Sequence, residues 1–348
     1  MGALILRTGI WFMPNYNSSL AIIQNPFVSP PLPEQAQYIF GSWLIHFFAH
    51  LIGVDSAVKF FLVNLMFTVL FIALLHDLSR QKFRASNRNI VFGSFLLLPA
   101  VTTSLFWVGM DGLTLVLLTL AVRSLISKRL NWFFVHCMLL ALQHFEMAAI
   151  AMVLLFVSLV IKKDLPQSKR VFLGLVCMVA SKVAFDFVMK SASVSYHSRV
   201  DWLLEHFSES LLMFIVSFPL IIWSAFGALT LFWLICGFVP RPKGYILVPL
   251  LIALLPVSLS FDQTRTFAII TFPLLVFWLT VKPNWAEKVS SDNVARNLFF
   301  VSLIPVVIVW EGVPGSTLIM FDFLLVVDRL FSLGLVPPDP SVWPFRDR

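Results

Sequence analysis

The sequence predicts an all-α, polytopic integral membrane helix bundle, and three observations predict it. The chain is 59% hydrophobic and 12% charged, with a mean hydropathy of +0.90; soluble domains ordinarily hold about twice that share of charge. Apolar runs recur over almost the whole length, which leaves no room for a soluble domain of ordinary size. The Lys and Arg residues fall in short loops between those runs, so the formal charge of +7 does not point to nucleic acid. One transmembrane domain over 1–348 is expected: an external loop with an interfacial helix at 14–56, a bundle at 57–334 and a cytoplasmic tail at 335–348. Cys137, Cys177 and Cys236 each lie inside an apolar run without CxxC spacing. They read as small core residues, and neither metal nor cofactor is expected.

Windows matched to bilayer thickness give spans near 57–76, 90–106, 112–127, 131–145, 147–161, 170–190, 210–236, 245–259, 266–281, 297–310 and 316–334. The start, "MGALILRTGIWFM", is too short to span comfortably and reads as an interfacial helix or a shortened first span, so about 11–12 transmembrane helices are expected. The loops then sort by charge. Basic residues mark the segments 77–89, 123–130, 162–170, 241–243, 282–296 and the chain end with Arg329, Arg346 and Arg348, which together hold 19 of the 25 Lys and Arg. Every second loop is basic, and the positive-inside rule places all six in the cytoplasm. The localisation this implies is multi-pass, in a bacterial inner (plasma) membrane.

The opposite loops are acidic: Glu34 and Asp55, Asp111, Glu146, Asp201 with Glu205 and Glu209, Asp262, and Glu311. Acids are tolerated on that side in any case, but helix length adds a second argument. The segments 112–127, 131–145 and 147–161 are 15 or 16 residues long, where a full crossing needs ~20. Two hairpins of short helices follow, one meeting at Met110-Asp111-Gly112 and one at Gln143-His144-Phe145-Glu146. Anchored on the cytoplasmic side, their polar tips must end below the outer surface. An ionised group there is costly unless it lines a wet or protein-lined cavity. A recessed, acid-lined cavity opening outward is therefore expected, with "SFDQTRT" (260–266) as another of its turns. Before the bundle, the stretch from about Gln35 to Ile52 reads as a helix along the outer interface. Its His46 and His50 are spaced i, i+4, but no third metal ligand is evident.

Taken in order, the long first external loop, the tips "WVGMDGLTL" and "LQHFEMAAI", the segment "SYHSRVDWLLEHF" and the turn "DQTRTFAIITFP" resemble the C-type-fold membrane glycosyltransferases. The likeness is one of layout over residues 14–281. It implies transfer of a sugar from a polyprenyl-phosphate carrier to an acceptor on the external face, by a catalytic Asp or Glu in external loops with basic residues holding the carrier phosphate. Such enzymes usually place an acid early in the first external loop. Here Asn15, Tyr16 and Asn17 stand near that place, and Glu34 is the only acid before Asp55.

The chemistry needs a base for the acceptor hydroxyl and cations for the departing phosphate. Asp111 and Glu146 are the expected bases, because both cap recessed tips. Arg199 and Arg265 are the expected phosphate holders, since a guanidinium grips phosphate oxygens in two places. Glu34, His144 and Asp262 complete the candidate substrate contacts. For Asp262 and Arg265 the alternative is a salt bridge that fixes the loop.

Two other classes compete. A transporter would use Lys182 with Asp186, and Asp322 with Asp328, but no inverted repeat is evident. A non-catalytic, glycosyltransferase-like subunit of a larger membrane assembly fits the missing early acid. A lipid-linked oligosaccharide polymerase needs the same outward cavity. Membrane lipids, a polyprenyl-phosphate-linked sugar and, on the subunit reading, another membrane protein are the expected partners.

Overall fold

The computed structural model describes residues 8–10, 39–52, 57–83, 88–96, 98–193, 199–236, 244–281, 307–310 and 313–316. Glu34, the loop at 282–296, the tail, and the last span beyond residue 316 lie outside the described residues. The chain is mostly helical. Helix α1 (Ile39–Ile52) precedes α2 (Ala57–Lys82), α3 (Arg88–Leu96), α4 (Pro99–Phe106), α5 (Asp111–Ile126), α6 (Leu130–Ile161) and α7 (Leu165–Ser191). Then come α8 (Arg199–Cys236), α9 (Gly244–Ile252), α10 (Leu254–Ser258) and α11 (Gln263–Val281), and the strands β1 (Val307–Trp310) and β2 (Val313–Ser316). Among the described residues, five helices are long and apolar enough to cross a membrane, as a multi-pass membrane protein requires.

These boundaries follow local chemistry. The expected span 90–106 is broken into α3 and α4, with Pro99 opening the second piece, where a missing N–H costs nothing. Helix α8 begins at Arg199, 11 residues before the expected span at 210, because "RVDWLLEHF" continues the apolar helical period outward.

The expected span 297–310 is corrected at its end. Val307–Trp310 is a strand, paired antiparallel with Val313–Ser316. The β-branched "VIV" favours extended backbone, and Gly312, Pro314 and Gly315 resist helix.

Helix α6 does not run straight. His144 has φ −161° and ψ 76°, extended rather than helical. The contacts on either side show how far the chain turns. Phe133 packs at Gly174, where an added Cβ would come within 2.7 Å of its ring, and Phe156 packs on Phe172 with ring centroids 6.1 Å apart. Phe133 and Phe156 would be about 35 Å apart along a straight helix, yet their partners on α7 are two residues apart. Helix α6 therefore folds back at His144 into two arms that both lie along α7, as the hairpin reading expects.

The two ends of the bundle then separate cleanly. At one end Gln143 meets Met110, and Arg265 meets Asp111. At the other, Ser124 meets His136, and Ser158 meets both Tyr245 and Trp278. Arg123 pairs with Asp77 at 2.8 Å at this second end, beside the Lys128 and Lys163 turns. Acidic tips and basic turns thus occupy opposite ends.

Helix α11 is the centre of the bundle. Its spanning window is 94% buried, and it touches α4, α5, α6, α8, α10 and β1. Beyond its polar first turn it is apolar almost all round, as a helix surrounded on all sides must be. Helices α7 and α8 are only 22% buried over theirs, so their apolar faces suit lipid.

The sidedness can be checked with single cysteines in a cysteine-free background. Cysteine at Ser193 should react with an impermeant thiol reagent in intact cells, and cysteine at Ala85 only after permeabilisation. The reverse pattern would invert the whole arrangement.

Candidate functional site

The site is assembled from turns far apart in sequence. Asp111 is the first residue of α5, where a carboxylate suits the positive end of the helix dipole. Arg265 lies in the first turn of α11, 154 residues away. Its Nε and Nη2 donate to the two oxygens of Asp111, the second bond at 2.9 Å, which makes the pair bidentate. Its Nη1 donates to Asp262 Oδ2 at 2.5 Å. The side chains of Arg265 and Asp111 are 5% and 6% exposed, whereas Asp262 is 28% exposed. The cluster therefore has a dry side and a wetter one.

The turn before α11 is held by its own hydroxyls. Asp262 N donates to Ser260 Oγ at 3.1 Å, and the Ser260 and Thr266 hydroxyls lie 2.8 Å apart. Thr264 Oγ1 accepts from Val309 N at 2.9 Å and lies 2.7 Å from Ser224 Oγ, which ties the start of α11 to β1 and α8.

The cluster is recessed. An added Cβ on Gly112 would meet Thr68 Oγ1 at 2.8 Å, Thr68 N at 3.0 Å and Asn64 O at 3.2 Å. Asp111 is thus level with Asn64–Thr68, about 10–16 Å along α2 from its start at Ala57. Gly112→Ala should accordingly destabilise the protein by about 1–3 kcal/mol, because the Thr68 hydroxyl and the backbone of α2 behind it both stand in the way of the methyl. A thermal melt in detergent measures it, and an unchanged midpoint would contradict the close approach.

The second tip joins the first through Gln143. Its Nε2 donates to Met110 O at 3.1 Å, and its Oε1 accepts from Gly41 N at 2.7 Å. One buried amide therefore clamps the fold of α6, the start of α5 and the start of α1. Next to it His144 is buried, and its Nδ1 lies 3.8 Å from Glu146 Oε2, while the Glu146 side chain is 35% exposed.

Sequence reasoning named Asp111, Arg265 and Asp262, and these three are in direct contact. His144 and Glu146 form a second pair on the adjoining tip. Arg199 is the first residue of α8; its side chain, like Glu34, lies outside the described residues. Sequence reasoning missed the roles of Gln143, Thr264 and Gln263. Gln263 is fully buried, and neither polar atom of its amide has a hydrogen-bond partner among the described residues. The signal for Gln143 was present, since it sits in the tip "LQHFEM". Polar side chains inside apolar runs need partners, and Gln143 has two.

With both carboxylates ionised, Asp111, Asp262 and Arg265 sum to one negative charge. Arg265 is in this geometry occupied by carboxylates, and Asp262, the more exposed of the two, is the partner an incoming anion could displace. No known family model matches the chain, and no characterised protein or solved structure is significantly similar to it.

Proposed function

We propose that this protein is a membrane glycosyltransferase that takes a sugar from a polyprenyl-phosphate carrier at the recessed, acidic end of the bundle. The observation that carries the reading is the meeting of the tips bearing Asp111, Arg265 with Asp262, and Glu146 below the level of the α2 start. A lipid phosphate reaching this depth from the bilayer would find Arg265 there.

The geometry divides the expected roles. Asp111 has both oxygens occupied by the Arg265 guanidinium, which leaves neither turned toward an acceptor hydroxyl. Its role is to position Arg265. Glu146 is more exposed and is the base of this proposal. The acceptor hydroxyl oxygen attacks the anomeric carbon while Glu146 takes the hydroxyl proton. The carbon–oxygen bond to phosphate breaks, and the phosphate leaves with the electron pair toward Arg265 once Asp262 has swung away.

The saturation of Arg265 by two carboxylates favours a second reading: a non-catalytic subunit of a larger membrane assembly, in which the cluster is only a structural pin. One experiment separates the two. Protein in lipid nanodiscs should bind a polyprenyl-phosphate sugar, and Glu146→Gln should keep binding while lowering turnover by ~10²–10⁴. Arg265→Lys should weaken binding, because bidentate contact is lost. Absence of binding, with normal surface glycans in cells carrying Glu146→Gln, would leave the subunit reading, and a stoichiometric partner should then co-purify in mild detergent.

A further inference from the structure

The basic end of the bundle has a feature the transferase reading does not use. Two successive turns have the same construction. Helix α5 ends with Lys128 N donating to Leu125 O at 3.2 Å and Arg129 N to Ser124 O at 2.9 Å. Helix α6 ends with Lys163 N donating to Val160 O at 2.9 Å and Asp164 N to Leu159 O at 2.9 Å. Both are the helix-ending pattern in which the residue after the cap is left-handed, and Lys128 and Lys163 have φ of 59° and 62°. Glycine is the usual occupant of that position, because any Cβ there is strained. Lysine holds it twice. The backbone gains nothing from lysine at either place, so the charge is what the choice supplies.

The fold places the two turns at the same end of the bundle. Because α6 folds back at His144, Leu130 and Ile161 stand at the same end, each arm beside the first turns of α7. Lys128, Arg129, Lys163 and Lys169 are exposed there. The one acid in these turns, Asp164, already caps α7 by accepting from Gln167 N at 3.2 Å. Directly along the bundle from the lysines, Trp132 is 60% exposed, Leu165 67% and Phe172 52%. Charge at the helix ends, followed at once by an apolar, outward-facing wall with a Trp at its rim, matches a phospholipid: headgroup first, acyl chains alongside.

We propose that the paired turns at Lys128–Arg129 and at Lys163 are a binding site for an anionic phospholipid, with its phosphate between the two lysine turns and its chains against α6 and α7. This rests on the membrane reading of the chain and is independent of sugar transfer.

Native mass spectrometry of the full chain in mild detergent tests it, with dioleoyl-phosphatidylglycerol, dioleoyl-phosphatidylcholine and inorganic phosphate as separate probes. Wild type should retain phosphatidylglycerol over phosphatidylcholine, and inorganic phosphate should not displace it. Each lysine near the headgroup contributes about fivefold, so the pair Lys128→Gln with Lys163→Gln should lose about thirtyfold in affinity. The pair Lys128→Gly with Lys163→Gly should lose the lipid equally but melt at a higher temperature in lipid-free detergent, since the left-handed strain is gone. That opposite response separates lost charge from lost fold. Equal retention of the two lipids, or unchanged phosphatidylglycerol affinity in both pairs, would overturn the proposal. Displacement by inorganic phosphate would overturn it in favour of a soluble-anion site.

Discussion

Arg265→Leu should destabilise the protein by about 3–5 kcal/mol, the cost of leaving a buried charge without its partner. Asp111 is the residue stranded. Both its oxygens accept from Arg265, and its side chain is 6% exposed, so water cannot replace the guanidinium. The double variant Arg265→Leu with Asp111→Leu should recover much of the loss, because a buried ion pair replaced as a unit by apolar side chains is often near neutral. Asp262→Asn should cost less, about 1 kcal/mol or under, since that carboxylate is 28% exposed and partly screened. Unfolding in mild detergent with increasing denaturing detergent would rank the three. If Asp262→Asn proved as damaging as Arg265→Leu, Asp111 would not be the principal partner.

Gln143→Leu should be the second most damaging change, at about 1–3 kcal/mol. The side chain is nearly isosteric, so little packing is lost. What remains is one orphaned buried donor, Gly41 N, at ~1–3 kcal/mol without water to satisfy it, while Met110 O loses the amide but keeps Thr114 N at 3.3 Å. The loss is also local: α1 and the start of α5 are released from the fold of α6. Hydrogen exchange read at residues 39–46 and 108–114 should rise well above the rest of the bundle. A uniform rise, or none, would contradict the clamp.

The contrast between what the sequence disclosed and what it hid has a physical basis. Apolar run length and loop charge are strong, additive signals, so α2, α5, α7, α9 to α11 and both arms of α6 fall within a few residues of their expected spans. The fold-back at His144 was legible for the same reason. Two runs of about 15 residues cannot each cross alone, and four polar or aromatic residues between them mark the turn. The strands at Val307–Trp310 and Val313–Ser316 were not legible, because an apolar run of four or five residues has no period to separate helix from strand. The sharing of Arg265 between two acids was half legible. Spacing i, i+3 announced Asp262, but nothing in a one-dimensional string ties Arg265 to an aspartate 154 residues earlier. Gln143 and Thr264 were hidden for a related reason. A single amide or hydroxyl in an apolar run shows that a partner must exist, not which one.

The central claim is that the short helices turn back below one surface and gather their polar tips there, and the fold of α6 is its most exposed point. Spin labels at Asn131 and Ile161, in protein reconstituted in lipid, measure it directly by pulsed electron spin resonance. A hairpin bent at His144 places the two labels about 20 Å apart or less, within two interhelical spacings. A continuous α6 would separate them by about 45 Å, and that distance would contradict the recessed site and everything built on it.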